Sequence, residues 1–252
     1  VVGANVEGSE MLAESLAQYS ALMVMEKQFG KGRMRRFLRH ELDSYLQGRG
    51  QEREEEQPLL RVQRQPYIHY NKGSLAFYAL RDAMGEKALN RVLARFLRDK
   101  KFQQPPYTTS EEFVQYLRDG SPAAVDDLIT DLFEKITLYD AAVQSATYTE
   151  VAPGKYRVTV RVEARKMEAD GSGNETPAPL NDRFQIGLFA APQPGEDPGR
   201  PLLLVRRTLT KPVTSFTFTV NERPHRAGID PYCTLVDRRP DDNLRLVAPA
   251  GR

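Results

Sequence analysis

Two segments in the first third of the chain carry side chains that could do chemistry. In the first, Glu14 lies within Met11–Tyr19, a run made mainly of apolar and small residues. A carboxylate among leucines and methionines is costly unless it is paired or bound to a metal. Glu14 is therefore either a metal-binding or catalytic carboxylate, or an ordinary glutamate at the edge of a helix. We expect neighbouring Leu and Met side chains to pack against it on several sides.

The second segment, Pro66–Ser74, holds Tyr67, His69, Tyr70 and Lys72 just before a strongly apolar stretch. The start of a helix favours developing negative charge, and a tyrosine hydroxyl there could donate a hydrogen bond to an oxyanion. Alternatively, the aromatic rings only pack over the start of the helix. Lys72 either helps to fix this segment or is a solvated lysine.

The run His40–Ser44 begins like the HExxH zinc-binding motif but ends in serine. The motif needs two histidines four residues apart, so that both rings reach one metal from the same helical face. The serine removes that geometry, and a polar helix face is the favoured interpretation. The other histidines, His69 and His225, share no metal-binding spacing with this run, and Cys233 is the single cysteine.

Aspartates cluster in two places in the second half of the chain. One is the turn Asp170–Asn174, and the other comprises Asp230, Asp237, Asp241 and Asp242. Carboxylate oxygens are ligands that calcium prefers. Turn formation and strand termination also explain these residues, and we favour that explanation.

The first half of the chain has the hydrophobic period of helices. The predicted helices cover Glu10–Gln28, Lys31–Gln47, Tyr70–Met84, Glu86–Lys100 and 123–136. Gly30 and Gly85 separate neighbouring helices. A capping box over Thr109–Glu112 begins a further helix. The charged stretch Gly48–Gln57 is predicted to be a connection.

In the second half the apolar period changes to two. Val158, Val160 and Val162 alternate with polar residues, which marks a strand with one buried face. Turn sequences separate about seven predicted strands between Val143 and Val247. Their number and spacing predict a small β-sandwich of immunoglobulin-like architecture.

The chain of 252 residues is long enough for two modest domains. We predict an α+β multidomain protein with an all-α helical domain over 1–139 and a β-sandwich domain over 140–252. The net charge of +2 creates no bulk field that would attract nucleic acid or a membrane surface. No apolar run approaches the roughly 18 residues needed to span a bilayer.

The run MLAESLAQY, Met11–Tyr19, resembles a segment of the M1 family of zinc aminopeptidases (gluzincins) that is usually written NEGFA followed by an aromatic residue. In that family its glutamate is the third protein ligand of the catalytic zinc, so the resemblance implies that role for Glu14. The family's Asn and Gly beside this glutamate are Ala13 and Ser15 here. That departure concerns the site for the substrate amine.

The run YNKG, Tyr70–Gly73, resembles the family's Y-x-K-G segment. The family's tyrosine donates to the oxyanion of the tetrahedral intermediate, so the resemblance implies that role for Tyr70. The resemblance covers essentially the whole chain. It implies that residues 1–139 are the C-terminal part of a thermolysin-like catalytic domain.

Longer runs are similar to one bacterial branch of the family, in which an ABC-2-type permease precedes the peptidase. They are ESLAQYSALMVMEK, QPYIHYNKGS, DLFEKITLYD and AGIDPY with DRRPDDN. The resemblance implies a peptide substrate, a permease partner in the same polypeptide and a parent protein at the bacterial inner membrane. The chain itself is expected to be a soluble fragment.

The family's HExxH motif ends roughly eighteen residues before the ligand glutamate, and only 13 residues precede Glu14. The resemblance therefore implies that the motif lies upstream of Val1, and a start without methionine fits a truncated product. In the intact parent, two upstream histidines and Glu14 would hold Zn²⁺, and the upstream glutamate would be the base. The chain alone is expected to bind no zinc and to be inactive.

A non-catalytic interaction scaffold with a peptidase-like fold is the alternative function. An upstream HExxH motif would distinguish the enzyme from the scaffold. Nucleic-acid binding through Arg33, Arg35, Arg36 and Arg39 is disfavoured, because acidic residues lie nearby and the overall charge is small.

Overall fold

The computed structural model describes residues 6–251. Helices dominate up to Glu134 and strands from Ile136 onward, so the protein has an α+β composition. The chain divides into two compact units. The first unit comprises the residues up to Val24, His40–Thr137 and Glu168–Thr176. The second unit comprises Met25–Arg39, Leu138–Met167 and the residues from Pro177 onward. The division into domains at 139–140 stays a prediction, since compactness does not test independent folding.

Within residues 6–251 there are six α-helices. They are α1 (Leu16–Phe29), α2 (Met34–Gln51), α3 (Gly73–Met84), α4 (Glu86–Lys100), α5 (Ser110–Gly120) and α6 (Asp126–Ile129). Three segments have the wider hydrogen-bonded turns of a π-helix. These are the first π turn (Met11–Ser15), the second π turn (Tyr67–Lys72) and the third π turn (Thr130–Glu134).

Two predicted signals at helix ends are confirmed. The Thr109 side chain accepts a hydrogen bond of 3.3 Å from the backbone N–H of Glu112, which caps α5. Gly85 has a φ of +91° and separates α3 from α4. Glycine adopts this left-handed region without the steric cost that a side chain would add.

The predicted C-terminal ends of two helices are wrong. Helix α2 continues to Gln51, into the stretch predicted to be a connection. Its last turn is held by Arg49, whose Nε donates to the buried carboxylate of Glu56 at 2.7 Å. The final helical segment ends at Glu134 rather than Ile136, because Ile136 begins the first strand.

Helix α3 forms the centre of the first unit. All eight residues of 73–80 are buried, so the helix is enclosed on all sides, as expected of a core helix. The ring of Phe77 contacts those of Tyr19, Phe113 and Phe133 at centroid distances of 5.9, 5.9 and 5.3 Å. These contacts connect α3 with α1, α5 and the third π turn.

Nine strands lie within the described part of the chain. They are β1 (Ile136–Ala152), β2 (Lys155–Ala169), β3 (Glu175–Ala178), β4 (Asp182–Phe189), β5 (Pro201–Leu209), β6 (Val213–Val220), β7 (Arg226–Ile229), β8 (Leu244–Leu246) and β9 (Ala248–Pro249). One sheet has the order β3-β2-β1-β9, with β6 also paired to β2, and the other has the order β5-β4-β7-β8.

The predicted alternation in β2 is confirmed, since Val158, Val160 and Val162 are all fully buried. In the antiparallel pair with β6, Val158 lies opposite Phe218 and Val160 opposite Phe216. The valines and phenylalanines therefore cover one face of this sheet.

The first strand begins earlier than the sequence predicts, at Ile136 instead of Val143, and nine strands replace seven. Tyr139 explains the early start, because its backbone N–H donates to the carbonyl of Val236 at 2.8 Å. Its ring also meets that of Phe184 on β4 edge to face at 5.6 Å. These partners are distant in sequence, so local patterning does not reveal them.

No membrane-spanning helix is found among residues 6–251, where every helix is too short or too polar to cross a bilayer.

Candidate active site

The two segments predicted to do chemistry pack against each other in the first unit. The hydroxyl of Ser15, in the first π turn, donates to the carbonyl of His69, in the second π turn, at 2.6 Å. At the end of the second π turn, a Cβ on Gly73 would lie 2.1 Å from the Oγ of Ser15. The close approach of the two turns therefore requires glycine at position 73.

Glu14 and Tyr70, the two predicted site residues, are brought together by this contact. The Glu14 carboxylate lies beside the Tyr70 hydroxyl, and this neighbouring acceptor raises the pKa of Tyr70 above its usual value. Tyr70 is 38% exposed, so its hydroxyl lies at an accessible surface. A phenol with a raised pKa keeps its proton at neutral pH and remains a hydrogen-bond donor.

The structure does not contain the apolar surroundings that the sequence predicts for Glu14. Met11, Leu12 and Ser15 of the same π turn are buried, whereas Glu14 is half-buried. The π turn directs the three buried side chains inward and leaves Glu14 at the edge, beside Tyr70. Its carboxylate is therefore accessible to a ligand without the desolvation cost that the sequence suggested.

His69 positions the Tyr70 ring on its other side. The two rings meet edge to face with centroids 4.6 Å apart. The Nδ1 of His69 lies 2.8 Å from a carboxylate oxygen of Glu10, which also accepts the backbone N–H of Arg64 at 2.7 Å. His69 is 6% exposed, so its ring is a packed wall of the site.

Glu41 is a supporting residue that the sequence did not single out. It is 4% exposed, and its two carboxylate oxygens accept hydrogen bonds from the side chains of Gln18 and Asn71, both at 2.7 Å. Asn71 follows Tyr70 in the second π turn, so Glu41 ties this turn to α1. The glutamate belongs to the run His40–Ser44, and His40 itself is exposed, which fits the predicted polar helix face.

Lys72 also holds the second π turn. It is 1% exposed, and its Nζ donates to the carbonyl of Lys135 at 3.3 Å and lies 5.7 Å from the centroid of the Tyr45 ring. Burial lowers the pKa of Lys72 to about 8, although the nearby carboxylate of Glu56 opposes the shift. The interpretation of Lys72 as a solvated lysine is therefore wrong.

The metal-binding capacity of the site rests on Glu14. Within residues 6–251 no group of three His, Cys, Asp or Glu side chains is arranged to hold a metal ion. Among the described residues, the site therefore offers a metal one half-buried carboxylate, that of Glu14, beside one phenol, that of Tyr70. Cys233, in the second unit, is buried, and burial raises the pKa of its thiol to about 12.

Asp170 and Asp230, one from each aspartate cluster, make the hydrogen bonds of turns. The carboxylate of Asp170 accepts the backbone N–H groups of Ser172 and Asn174 at 3.0 and 2.8 Å. That of Asp230 accepts those of Thr234 and Leu235, both at 3.0 Å. These bonds agree with the explanation by turn formation.

No protein-family model matches this chain, and neither does any curated protein sequence.

Proposed function

We propose that the chain is the C-terminal part of an M1-family zinc aminopeptidase, in which Glu14 is a zinc ligand and Tyr70 donates a hydrogen bond to the substrate. The observation that carries this proposal is that the two side chains lie together, where their π turns are joined by the bond from Ser15 to the carbonyl of His69. They belong to two motifs that are distant in sequence, and a reaction that uses both requires them to lie together.

The metal would supply Lewis acidity and a bound water of lowered pKa. Glu14 would contribute one carboxylate ligand. Tyr70 would donate its hydroxyl to the peptide oxygen on which negative charge develops. One such donor is worth about 3 kcal/mol of the activation barrier.

Preorganisation of Tyr70 supports this role. A donor stabilises a transition state best when its position is fixed before the reaction. The next two residues are both anchored, Asn71 by the buried Glu41 and Lys72 by the carbonyl of Lys135. The backbone that carries Tyr70 is therefore held, while the hydroxyl stays accessible.

The same proposal covers the finer architecture. We propose that the helices are the C-terminal part of a thermolysin-like catalytic domain and that the strands form an immunoglobulin-like sandwich. Two observations within the second unit support the sandwich: the strands divide into two sheets, and the Tyr139 hydroxyl on β1 donates to Asp182 on β4 at 2.8 Å. We also propose that the parent protein is bacterial and that an ABC-2-type permease precedes the peptidase in the same polypeptide.

The remaining two ligands would be histidines outside the printed sequence, which contains no HExxH motif. By itself the chain is then expected to bind no stoichiometric zinc and to hydrolyse no peptide. Full zinc occupancy at Glu14 in the 252-residue chain would contradict this expectation.

The test uses the full-length gene product that contains this chain, purified with zinc. Metal content is measured by emission spectrometry and activity by hydrolysis of aminoacyl anilides. Glu14→Gln should lose most of the zinc and the activity, whereas the exposed control Glu111→Gln should keep both. A gene without HExxH upstream, or a Glu14→Gln protein that retains zinc and activity, would contradict the enzyme and favour the scaffold.

A further inference from the structure

The connection between α4 and α5 exposes a large apolar side chain. Phe102 is 87% exposed, the highest exposure among the large hydrophobic residues of the described chain. Tyr107 in the same connection is 38% exposed, and Leu97 in the last turn of α4 is 51% exposed. Exposed leucines are common on protein surfaces, but a phenylalanine at this exposure gains little burial energy in this structure.

The backbone around Phe102 keeps the ring on the outside. Phe102 has a φ of +58°, a left-handed conformation that is unfavourable for a bulky residue. Its flanks are fixed, because the backbone N–H of Lys101 donates to the carbonyl of Leu97 at 3.0 Å and the Gln103 side-chain amide donates to the carbonyl of Pro106 at 2.7 Å. Exposure of the ring is therefore built into the connection.

Both ends of the connection are anchored in the first unit. Thr108 is fully buried, and its hydroxyl donates to the Glu112 carboxylate at 2.5 Å. The same carboxylate accepts the Nζ of Lys100 at 3.0 Å. At the other end, the buried ring of Phe96 meets that of Phe113 at 4.7 Å. The apex is consequently presented on a fixed base.

Positive charge is concentrated around this apex. Residues 86–107 carry six basic side chains and two acidic ones, a net charge of +4, whereas the whole chain has +2. The basic residues are Lys87, Arg91, Arg95, Arg98, Lys100 and Lys101. Those that lie on the outside of α4 and at its end, Arg91, Arg95, Arg98 and Lys101, are exposed. Local charge thus differs from the near-neutral balance of the chain.

We propose that this apex, defined as Arg98, Lys101 and Phe102, binds the surface of an anionic lipid bilayer. The ring enters the boundary between headgroups and acyl chains, and the two cations contact lipid phosphates. Apolar groups buried at the interface and cations attracted to anionic lipids are the two contributions that attach proteins to a bilayer surface.

A bilayer fits this apex better than an acidic protein does. An acidic protein could pair with the two cations without any contact to an exposed phenylalanine. To bury the ring as well, that protein would need a pocket shaped for one protruding side chain. Lipid deforms around the ring. The proposal is independent of the peptidase function, because none of these residues belongs to the Glu14–Tyr70 site.

The chain contains no tryptophan, so Phe102→Trp introduces a single fluorescent reporter at the apex. The full chain is mixed with vesicles of phosphatidylcholine alone or with about a third phosphatidylserine, the anionic lipid that attracts basic residues. We expect a blue shift and quenching by brominated acyl chains only with the anionic vesicles. The matched control is Val24→Trp, because Val24 is 61% exposed, and this variant should show neither change.

Affinity measurements provide the second arm. Phe102→Gly removes the ring and relieves the backbone strain, so folding is retained while vesicle affinity should fall about tenfold or more. Lys101→Gln should lower it about fivefold. Tryptophan emission of the Phe102→Trp protein that is unchanged by anionic vesicles, or that responds to polyglutamate and not to vesicles, would overturn the proposal. Vesicle binding that both Phe102→Gly and Lys101→Gln leave intact would overturn it as well.

Discussion

The carboxylate of Glu14 lies beside the hydroxyl of Tyr70 and raises its pKa, and both residues belong to π-helical turns. Such turns are rare and occur frequently at functional sites, because the additional residue changes the direction of the side chains. The two turns are joined by the bond from Ser15 to the carbonyl of His69.

Under the proposed function, Tyr70→Phe in the zinc-loaded full-length gene product should lower kcat by about 100- to 1000-fold, because one donor to the developing oxyanion would be lost. Zinc content should not change, since the substitution leaves the carboxylate of Glu14 in place. Peptidase assays and metal analysis on the same preparation measure both quantities. Tyr107→Phe removes an exposed hydroxyl elsewhere and serves as the control. A Tyr70→Phe enzyme with unchanged kcat would exclude a catalytic role for this hydroxyl.

Gly73→Ala should destabilise the chain by about 1–3 kcal/mol, because the new Cβ would overlap Ser15 and force the two π turns apart. Gly50→Ala, in α2, is the matched control. No atom lies within 4 Å of the position of its Cβ, so alanine there should stabilise the chain by about 0.5–1 kcal/mol. Urea unfolding of both variants measures the difference, and equal effects of the two substitutions would contradict the close approach at Gly73.

Glu41→Ala should cost about 1–3 kcal/mol of unfolding free energy, because it leaves the amides of Gln18 and Asn71 without their acceptor. A double-mutant cycle with Asn71→Ala isolates the bond that holds the second π turn. We expect a coupling energy of about 0.5–1.5 kcal/mol. Additive effects of the two substitutions would show that this bond contributes nothing to stability.

Asp237 should make the stability of the chain fall between about pH 4 and pH 7. Burial raises the pKa of Asp237 to about 7, so the folded state binds a proton that the unfolded state has already released. The contribution of this group is full below about pH 4 and is lost as the pH rises through about 7, by at most about 4 kcal/mol. Denaturant unfolding at several pH values, compared with Asp237→Asn, measures it.

Asp241→Asn is the control of opposite sign. In the wild type, the hydrogen bond that Arg39 donates to the Asp241 carboxylate lowers the pKa of Asp241. The contribution of Asp241 to stability is therefore present above about pH 4 and is lost as the pH falls further. A difference between wild type and Asp237→Asn that stays constant from about pH 4 to pH 7 would refute the buried titration.

Local features of this protein follow from the sequence. The Thr109 cap, the helix break at Gly85 and the alternation of Val158, Val160 and Val162 depend on backbone conformation and side-chain period. Residues a few positions apart decide these features, so their pattern is visible in the printed chain. Glu14 and Tyr70 are visible for the same reason, each within its own short motif.

The relationships between those motifs depend on the tertiary structure. Burial of Glu41 and Lys72, the early start of β1 and the half-exposed position of Glu14 are set by partners far away in sequence. Tyr70 and Glu14 come together only after the two π turns pack, and that packing requires Gly73 to meet Ser15. The sequence by itself therefore determined the two candidate residues, whereas only the folded chain decided that they lie together.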